Sequence, residues 1–241
     1  MAVAPRFGPR SVVGSVSSTR LVRSEPEDLY DYDAVRQLSE ATMFVVRLSQ
    51  ATLVLGSSQP VDVINEDRLG SLNVRRRRGG GGLVLLQPGD MWIDWWIPQG
   101  DSRWSHDVHV SSIRSGQWWR EALDPYVGAR ARVHEGSLEG EPSLGVVCFA
   151  GRGPGEVFVD DKKTVGLTQW RVREGIFVST VIHAHSSIGV VDLLREPPQG
   201  IRHALDHHVI SSLGITDPEK MLRELTALSG PWLTRQLLLT A

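Results

Sequence analysis

The alternation of apolar and polar positions divides this chain into many short elements. Residues 44–48 and 51–56 read as strands, the second closing on a Gly-Ser-Ser turn. Ahead of them, Pro26 followed by Glu27 and Asp28 has the early proline and first-turn acids of a helix start, so a helix is expected before residue 44. A helical link at 62–69 should lead to a strand near 72–74. Residues 83–86 read as a strand, ended by the turn Gln-Pro-Gly-Asp at 87–90. The segment 91–98 places Trp92, Asp94 and Trp96 at the strand period of two, and Trp95 breaks the alternation. Helical spacing returns at 113–123. Strands are then expected at 131–134, 145–149, 156–159 and 176–182, separated by Gly, Pro or Asp, with 151–155 as a loop. Helices are expected at 188–194, 201–211 and 217–239. No internal repeat is visible. This order predicts an α/β chain of the α+β type with several antiparallel hairpins.

The composition narrows the class. A chain of 241 residues, 41% hydrophobic and 22% charged, can bury a sizeable core as one domain. No run of about 18 apolar residues is present to span a bilayer, so no membrane role is expected. A net charge of −2 argues against general nucleic-acid binding. The single cysteine, Cys148, allows no internal disulfide and fits a reducing, cytoplasmic setting. Residues 1–24 hold Arg6, Arg10, Arg20 and Arg23, several serines and no acid, and read as a flexible tail ahead of one domain spanning 25–241.

Two islands carry the candidate chemistry. Four arginines at 75–78 run into four glycines at 79–82 and then into the apolar strand at 83–86. Guanidinium groups offer charge and forked donors to phosphate or carboxylate, and glycines let a ligand approach the main chain. A run of like charge is also the ordinary signature of a solvated face. No Gly-Lys-Ser/Thr follows the glycines, and they enter a strand rather than a helix, so neither a P-loop nor a dinucleotide fingerprint is present. The second island is Lys162 and Lys163, two of only three lysines in a chain with 23 arginines. A buried or fixed ammonium stabilises a developing oxyanion. The alternative for Lys163 is an exposed lysine in an Asp160-Asp161-Lys162-Lys163 hairpin turn.

Other constellations are weaker. His106 with His109, His183 with His185, and His203 with His207 and His208 form pairs without the third and fourth ligands of a zinc site, so no metal is assigned. No Gly-x-Ser-x-Gly elbow supports a serine hydrolase. The Trp-rich stretch 91–104 suits either an apolar tunnel or plain core.

The islands together resemble the catalytic domain of lipoate protein ligases and octanoyltransferases. In that family an Arg-Arg pair, two spacers and three glycines precede a small apolar strand; Arg76, Arg77, Gly80, Gly81 and Gly82 occupy those places. The family's Lys-x-x-Gly element falls on Lys163 and Gly166, followed by the polar Thr168. The correspondence covers roughly residues 30–195. It implies a mixed β-sheet flanked by helices, related to biotin protein ligases. It also implies transfer of a lipoyl or octanoyl group to one lysine of a lipoyl domain, in a 2-oxoacid dehydrogenase complex or the glycine cleavage H protein. As a ligase the enzyme would use lipoate or octanoate with ATP and Mg2+ to form an acyl adenylate. Lys163 would then polarise the acyl carbonyl, and Arg76, Arg77 and the glycines would grip the acyl or adenylate group.

One class of octanoyltransferase in the same family carries a Cys-Phe pair fifteen residues before that lysine, and Cys148-Phe149 stands there. On that route octanoyl carrier protein acylates Cys148 as a thioester, and no cofactor is needed. The alternative is a core cysteine on a buried strand at 145–149. A third possibility is a non-catalytic acyl-binding subunit. Two departures from the family pattern stand out. Gly79 replaces the Ser or Thr that precedes the three glycines, and Val178-Ser179-Thr180 replaces a Gln-His-Gly or His-His-Gly element.

Overall fold

A computed structural model of the protein describes residues 26–208, 218–230 and 233–239; the expected tail at 1–24 lies outside the described residues. The strands are β1 (Glu27–Asp28), β2 (Thr42–Leu48), β3 (Thr52–Leu55), β4 (Asn73–Arg76), β5 (Val84–Leu86), β6 (Met91–Pro98), β7 (Ala131–Val133), β8 (Val157–Val159), β9 (Lys162–Val172), β10 (Gly175–Ile182) and β11 (Leu233–Leu239). The helices are α1 (Tyr32–Arg36), α2 (Val108–Val127), α3 (Ile201–His208) and α4 (Pro218–Ser229). The strands form a seven-stranded sheet in the order β11-β2-β6-β10-β9-β8-β7 and a four-stranded sheet in the order β1-β4-β3-β5. In the large sheet every pairing is antiparallel except β11 against β2; in the small sheet β4 runs parallel to both β1 and β3. A mixed sheet flanked by helices is therefore observed.

The central strand explains its own composition. β6 is paired on both edges, by β2 and β10, and each of its two faces packs into a separate core, so all eight of its residues are buried. Trp92 and Trp96 enter the core between the two sheets, whereas Ile93, Trp95 and Ile97 enter a second core beneath α2 and α4 with Trp118, Trp119, Leu123 and Met221. Trp95 breaks no alternation; it is the large residue of the other face. α2 begins at Asp107, whose side chain accepts from the N–H groups of His109 at 2.7 Å and Val110 at 3.2 Å.

Several expectations need correcting. The helix expected from Pro26 onward is preceded by β1 and shrinks to the five residues of α1. Residues 145–149 form no strand: short 3₁₀ turns at Pro142–Val146 and Cys148–Ala150 carry them. The expected helix at 217–239 ends at Ser229, and its last part is β11, whose parallel place beside β2 is a long-range pairing with no local signature. The helices at 188–194 and 201–211 are a 3₁₀ segment, Ser187–Leu193, and α3; residues 209–211 lie outside the described residues. Among the described residues, no helix is long and apolar enough to cross a membrane.

Candidate active site

A narrow slot of ≈ 40 Å³ opens between the two sheets, with room for about three water molecules. Val54, Val84 and Leu86 of the small sheet form one wall, and Trp92, Ser179 and Val181 of the large sheet the other. The cross-strand register sets the large-sheet wall. Ser179 pairs with Asp94 on one side and with Thr168 on the other, and Val181 pairs with Trp92 and Gly166. Directly paired residues share a face, so two rows of side chains meet the slot.

The arginine run builds the slot's mouth from within. Arg77 is buried, and its guanidinium donates to the carbonyls of Gly80 (2.8 Å from Nη2, 3.2 Å from Nε), Gly82 (2.7 Å) and Val54 (3.4 Å). Arg76 donates to the carbonyls of Gly56 at 3.0 Å and Gln59 at 2.6 Å. Arg75 pairs with Glu27, and Arg78 with Asp28 at 2.5 Å. Burial holds the Arg77 guanidinium below its ordinary basicity, opposed by the nearby Cys148 and Tyr32.

With the carbonyls of Gly80 and Gly82 turned toward Arg77, the N–H groups of Gly80 and Gly81 have no acceptor among the described residues. Gly81 has φ +91°, which favours glycine. Gly82 packs against the carbonyl of Gly145, where a Cβ would come within 2.5 Å. At Gly80, by contrast, a Cβ would meet nothing. The chain's own packing therefore leaves that glycine unexplained, and it is the exposed point at which a ligand can meet the main chain.

The missing side chain at Gly79 has a structural reason. A Cβ there would lie 2.5 Å from the Thr168 hydroxyl, which itself donates to the Gly80 carbonyl at 3.0 Å. The hydroxyl contacting this loop thus comes from β9 rather than from the residue ahead of the three glycines.

Cys148 lines the slot. A side chain on Gly81 would meet both its Sγ, at 3.4 Å, and the Arg77 guanidinium, at 3.1 Å, so thiol, guanidinium and loop converge on one point. The main chain on either side is fixed: Cys148 N–H donates to the Leu83 carbonyl at 3.0 Å, and the ring of Phe149 occupies the space where Gly166 lacks a Cβ.

Lys163 sits behind this wall. A two-residue turn at Asp160 and Asp161, with φ 49° and 62°, reverses the chain from β8 to β9. Strand alternation then leaves Lys162 exposed and turns Lys163 inward. Its ammonium reaches Glu156 Oε1 at 2.6 Å, the Gly151 carbonyl at 2.8 Å and the Cys148 carbonyl at 2.9 Å, and lies 5.1 Å from the Phe149 ring centroid. Burial pushes the Glu156 carboxyl up, opposed by Lys163 and by the Gly153 N–H at 2.6 Å. The residue is not an exposed hairpin lysine.

Arg77, Gly80, Gly81, Cys148, Gly166 and Thr168 are thus brought to the slot and its mouth, while Arg76 and Lys163 serve neighbouring main chain. Sequence reasoning missed three participants. Glu156 carried no signal beyond an acid at the start of an apolar strand. His183, weighed only with His185, instead bonds through Nδ1 to Asp90 at 3.0 Å and packs on Phe149. Asp94 is wholly buried, accepting from Tyr30 Oη at 2.5 Å, Trp92 Nε1 at 2.6 Å and the Thr180 N–H at 3.2 Å. Burial raises its carboxyl to about 7 despite these bonds and one from the Ser179 hydroxyl. Its place in the Trp-Ile-Asp alternation was legible, its partners were not.

A model of the lipoyl protein ligase A/B catalytic domain matches residues 28–212. The chain belongs to this family. It is accordingly an enzyme of the ligase or transferase type. No curated protein sequence matches it. Solved structures of lipoyl ligases share its fold. A bi-partite lipoate protein ligase from Thermoplasma acidophilum, studied with its E2 lipoyl domain, is 15% identical over 87% of this chain and 80% of that one, with a TM-score of 0.64. A lipoate-protein ligase A bound with ATP is 16% identical over 83% and 76%, with a TM-score of 0.61. Ta0514 of T. acidophilum, with bound lipoic acid, is 14% identical over 87% and 82%, with a TM-score of 0.62.

Proposed function

We propose that this lipoyl ligase-family enzyme transfers an octanoyl or lipoyl group through a thioester on Cys148 to a lysine of a lipoyl domain, in a 2-oxoacid dehydrogenase or the glycine cleavage H protein. The observation that carries this reading is the position of the thiol. Cys148 lies in the slot wall at the point where Arg77 and the Gly81 loop converge, whereas the Lys163 ammonium is turned away onto Glu156 and two carbonyls.

In the first step the Cys148 thiolate attacks the carbonyl of an acyl thioester, such as that on acyl carrier protein, and the carrier's thiol departs with the electron pair and takes up a proton. In the second, the neutral acceptor amine attacks the Cys148 thioester; an amide forms, the C–S bond breaks, and the amine's proton leaves with the thiol or to solvent. Both steps pass through a tetrahedral oxyanion. The unpaired N–H groups of Gly80 and Gly81, with Arg77 behind them, are placed to stabilise that charge. The apolar walls suit a hydrocarbon chain, and the slot must widen from ≈ 40 Å³ to admit eight carbons.

A second reading, an acyl adenylate made from lipoate or octanoate and ATP, is supported by the exposed glycine main chain and by the ATP-bound relative. On that route the loop N–H groups would meet phosphate. Among the described residues no three His, Cys, Asp or Glu side chains converge to hold an ion, so Mg2+ would be carried mainly by the phosphates.

Intact mass of a lipoyl domain after incubation with the enzyme separates the two. Octanoyl transfer from carrier protein that is lost in Cys148→Ala, with a trapped acyl-enzyme mass in the parent, supports the thioester. Modification that requires lipoate and Mg-ATP and survives Cys148→Ala overturns it in favour of the adenylate.

A further inference from the structure

The slot crosses the large sheet from β9 to β6, and its two ends differ. Gly166, Val181 and Trp92 are directly paired across β9, β10 and β6, share one face, and all line the slot. Cys148 stands at the β9 end, because the ring of Phe149, the next residue, fills the space where Gly166 lacks a Cβ. Neighbouring strands are about 4.8 Å apart, so Trp92 lies about 10 Å away, across two strand spacings. An extended eight-carbon chain is about 9 Å long. An acyl group joined through its carbonyl to the Cys148 sulfur therefore brings its last carbons to Trp92.

That end is closed by aromatic rings pinned to a buried carboxylate. In the neighbouring row Thr168 and Ser179 line the slot, but Asp94, the third member, is wholly buried. It accepts from Tyr30 Oη at 2.5 Å and from Trp92 Nε1 at 2.6 Å. Tyr30 also packs edge-on against Trp92 and Phe177, with ring centroids 6.0 and 5.1 Å apart. Swinging either ring aside would leave a buried carboxylate oxygen short of a donor, which is costly. The facing wall of Val54, Val84 and Leu86 has no such side-chain tether, so the widening that eight carbons require comes from that side.

We infer, on the thioester reading of Cys148, that Tyr30, Asp94 and Trp92 together determine acyl specificity and make the enzyme select a straight octanoyl chain over a lipoyl group. Both acyl groups have the same eight-carbon chain and carbonyl. They differ only at the far end, where lipoyl carries a dithiolane ring, and that end is the part that reaches Trp92. A methylene chain passes between the rings and the aliphatic wall once that wall shifts. The dithiolane needs extra width at the place where the large-sheet wall is fixed.

The test offers the full-length protein equal amounts of octanoyl and lipoyl thioesters of N-acetylcysteamine and compares the two acyl-Cys148 masses. Tyr30→Phe keeps the ring and removes one bond to Asp94; Asp94→Asn turns one acceptor oxygen into a donor. Tyr32→Phe is the control. Tyr32 packs in the same aromatic cluster, on Trp170 and Phe177, but its hydroxyl meets the Arg78 N–H at 3.3 Å rather than Asp94. Thermal unfolding confirms that each variant is folded; if Asp94→Asn is not, the volume-conserving Tyr30→Phe decides. The parent should form octanoyl-Cys148 in about tenfold excess or more, the scale on which a pocket discriminates by size. The ratio should fall toward one in Tyr30→Phe and Asp94→Asn and keep its parental value in Tyr32→Phe.

Equal octanoyl and lipoyl masses in the parent would overturn the inference. So would a ratio that Tyr30→Phe and Asp94→Asn leave unchanged, or that Tyr32→Phe shifts as much as they do. If the parent forms no acyl-Cys148, the thioester reading fails, and octanoate and lipoate are compared instead as stabilisers of the protein against heat. Stabilisation by octanoate alone, with that selectivity lost in Tyr30→Phe, keeps the aromatic wall as the determinant; equal stabilisation by both acids in the parent overturns it.

Discussion

The ammonium of Lys163 lies 2.9 Å from the carbonyl oxygen of Cys148, fifteen residues earlier in the chain. The spacing of Cys-Phe ahead of Lys-x-x-Gly thus has a physical meaning in this fold. The 3₁₀ turn, the glycine-rich stretch and the β8–β9 hairpin bring the lysine back beneath the cysteine's own backbone. The aromatic ring between them fills the gap at Gly166.

Arg77 tests whether the arginine run acts on the loop. Its planar fork meets the carbonyls of Gly80, Gly82 and Val54, which a single ammonium cannot span. Arg77→Lys should leave at least one buried carbonyl unpaired and lower stability by about 1–3 kcal/mol. It should also raise the KM for the acyl donor. Urea denaturation and steady-state kinetics measure the two effects; parental values in both would show that the guanidinium fork is dispensable.

Gly79 and Thr168 should be coupled. Gly79→Ser forces a Cβ to within 2.5 Å of the Thr168 hydroxyl and should cost about 1–3 kcal/mol, the usual range for overpacking. Thr168→Ala alone removes one hydrogen bond to the Gly80 carbonyl. The double variant should be more stable than Gly79→Ser, with a favourable interaction energy in the double-mutant cycle. Strict additivity would refute the exchange of the hydroxyl between loop and strand.

Asp94 should impose a pH dependence on folding. Its carboxyl is raised from 3.8 to about 7 in the folded protein, so the folded state binds the proton more tightly than the unfolded chain. This stabilisation is fully present below pH 4 and is lost as pH rises through about 7. Its size is of order 4 kcal/mol. The difference in unfolding free energy between the parent and Asp94→Asn should therefore change between pH 4 and 7, with the parent losing the advantage as pH rises. A constant difference across that window would show that Asp94 titrates at its ordinary value.

Ser179 lines the slot wall at the place where the family pattern has histidine. Ser179→Gly should widen it and raise kcat/KM for an eight-carbon donor relative to a four-carbon donor by about tenfold, the scale of discrimination by pocket size. Competition between octanoyl and butyryl thioesters, read by mass spectrometry of the acceptor, gives the ratio directly. An unchanged ratio would place the limit on chain length elsewhere in the slot.

The order of elements, the two islands and the likeness to the lipoyl ligase family were legible in the sequence because each rests on local signals. Strand alternation marked β2, β3, β5, β6, β8 and β10, and Gly and Pro marked the turns. Residues 145–149 misled because an apolar run signals burial without a backbone conformation, and here 3₁₀ turns bury it. β11 misled because its parallel pairing with β2 comes from a partner almost two hundred residues away.

The candidate site divides in the same way. Residue types alone marked the arginine run, the glycines, the single cysteine and the Lys162-Lys163 pair, and the family resemblance singled out Arg76, Arg77 and Lys163 among them. Only the tertiary structure decided what each one faces. It turned the arginine run onto Glu27, Asp28 and loop carbonyls, set Thr168 against Gly79, and matched Lys163 with Glu156. The physical reason is that a charged group's partner is chosen by burial and distance across the fold, and neither quantity is a property of neighbouring letters in the chain.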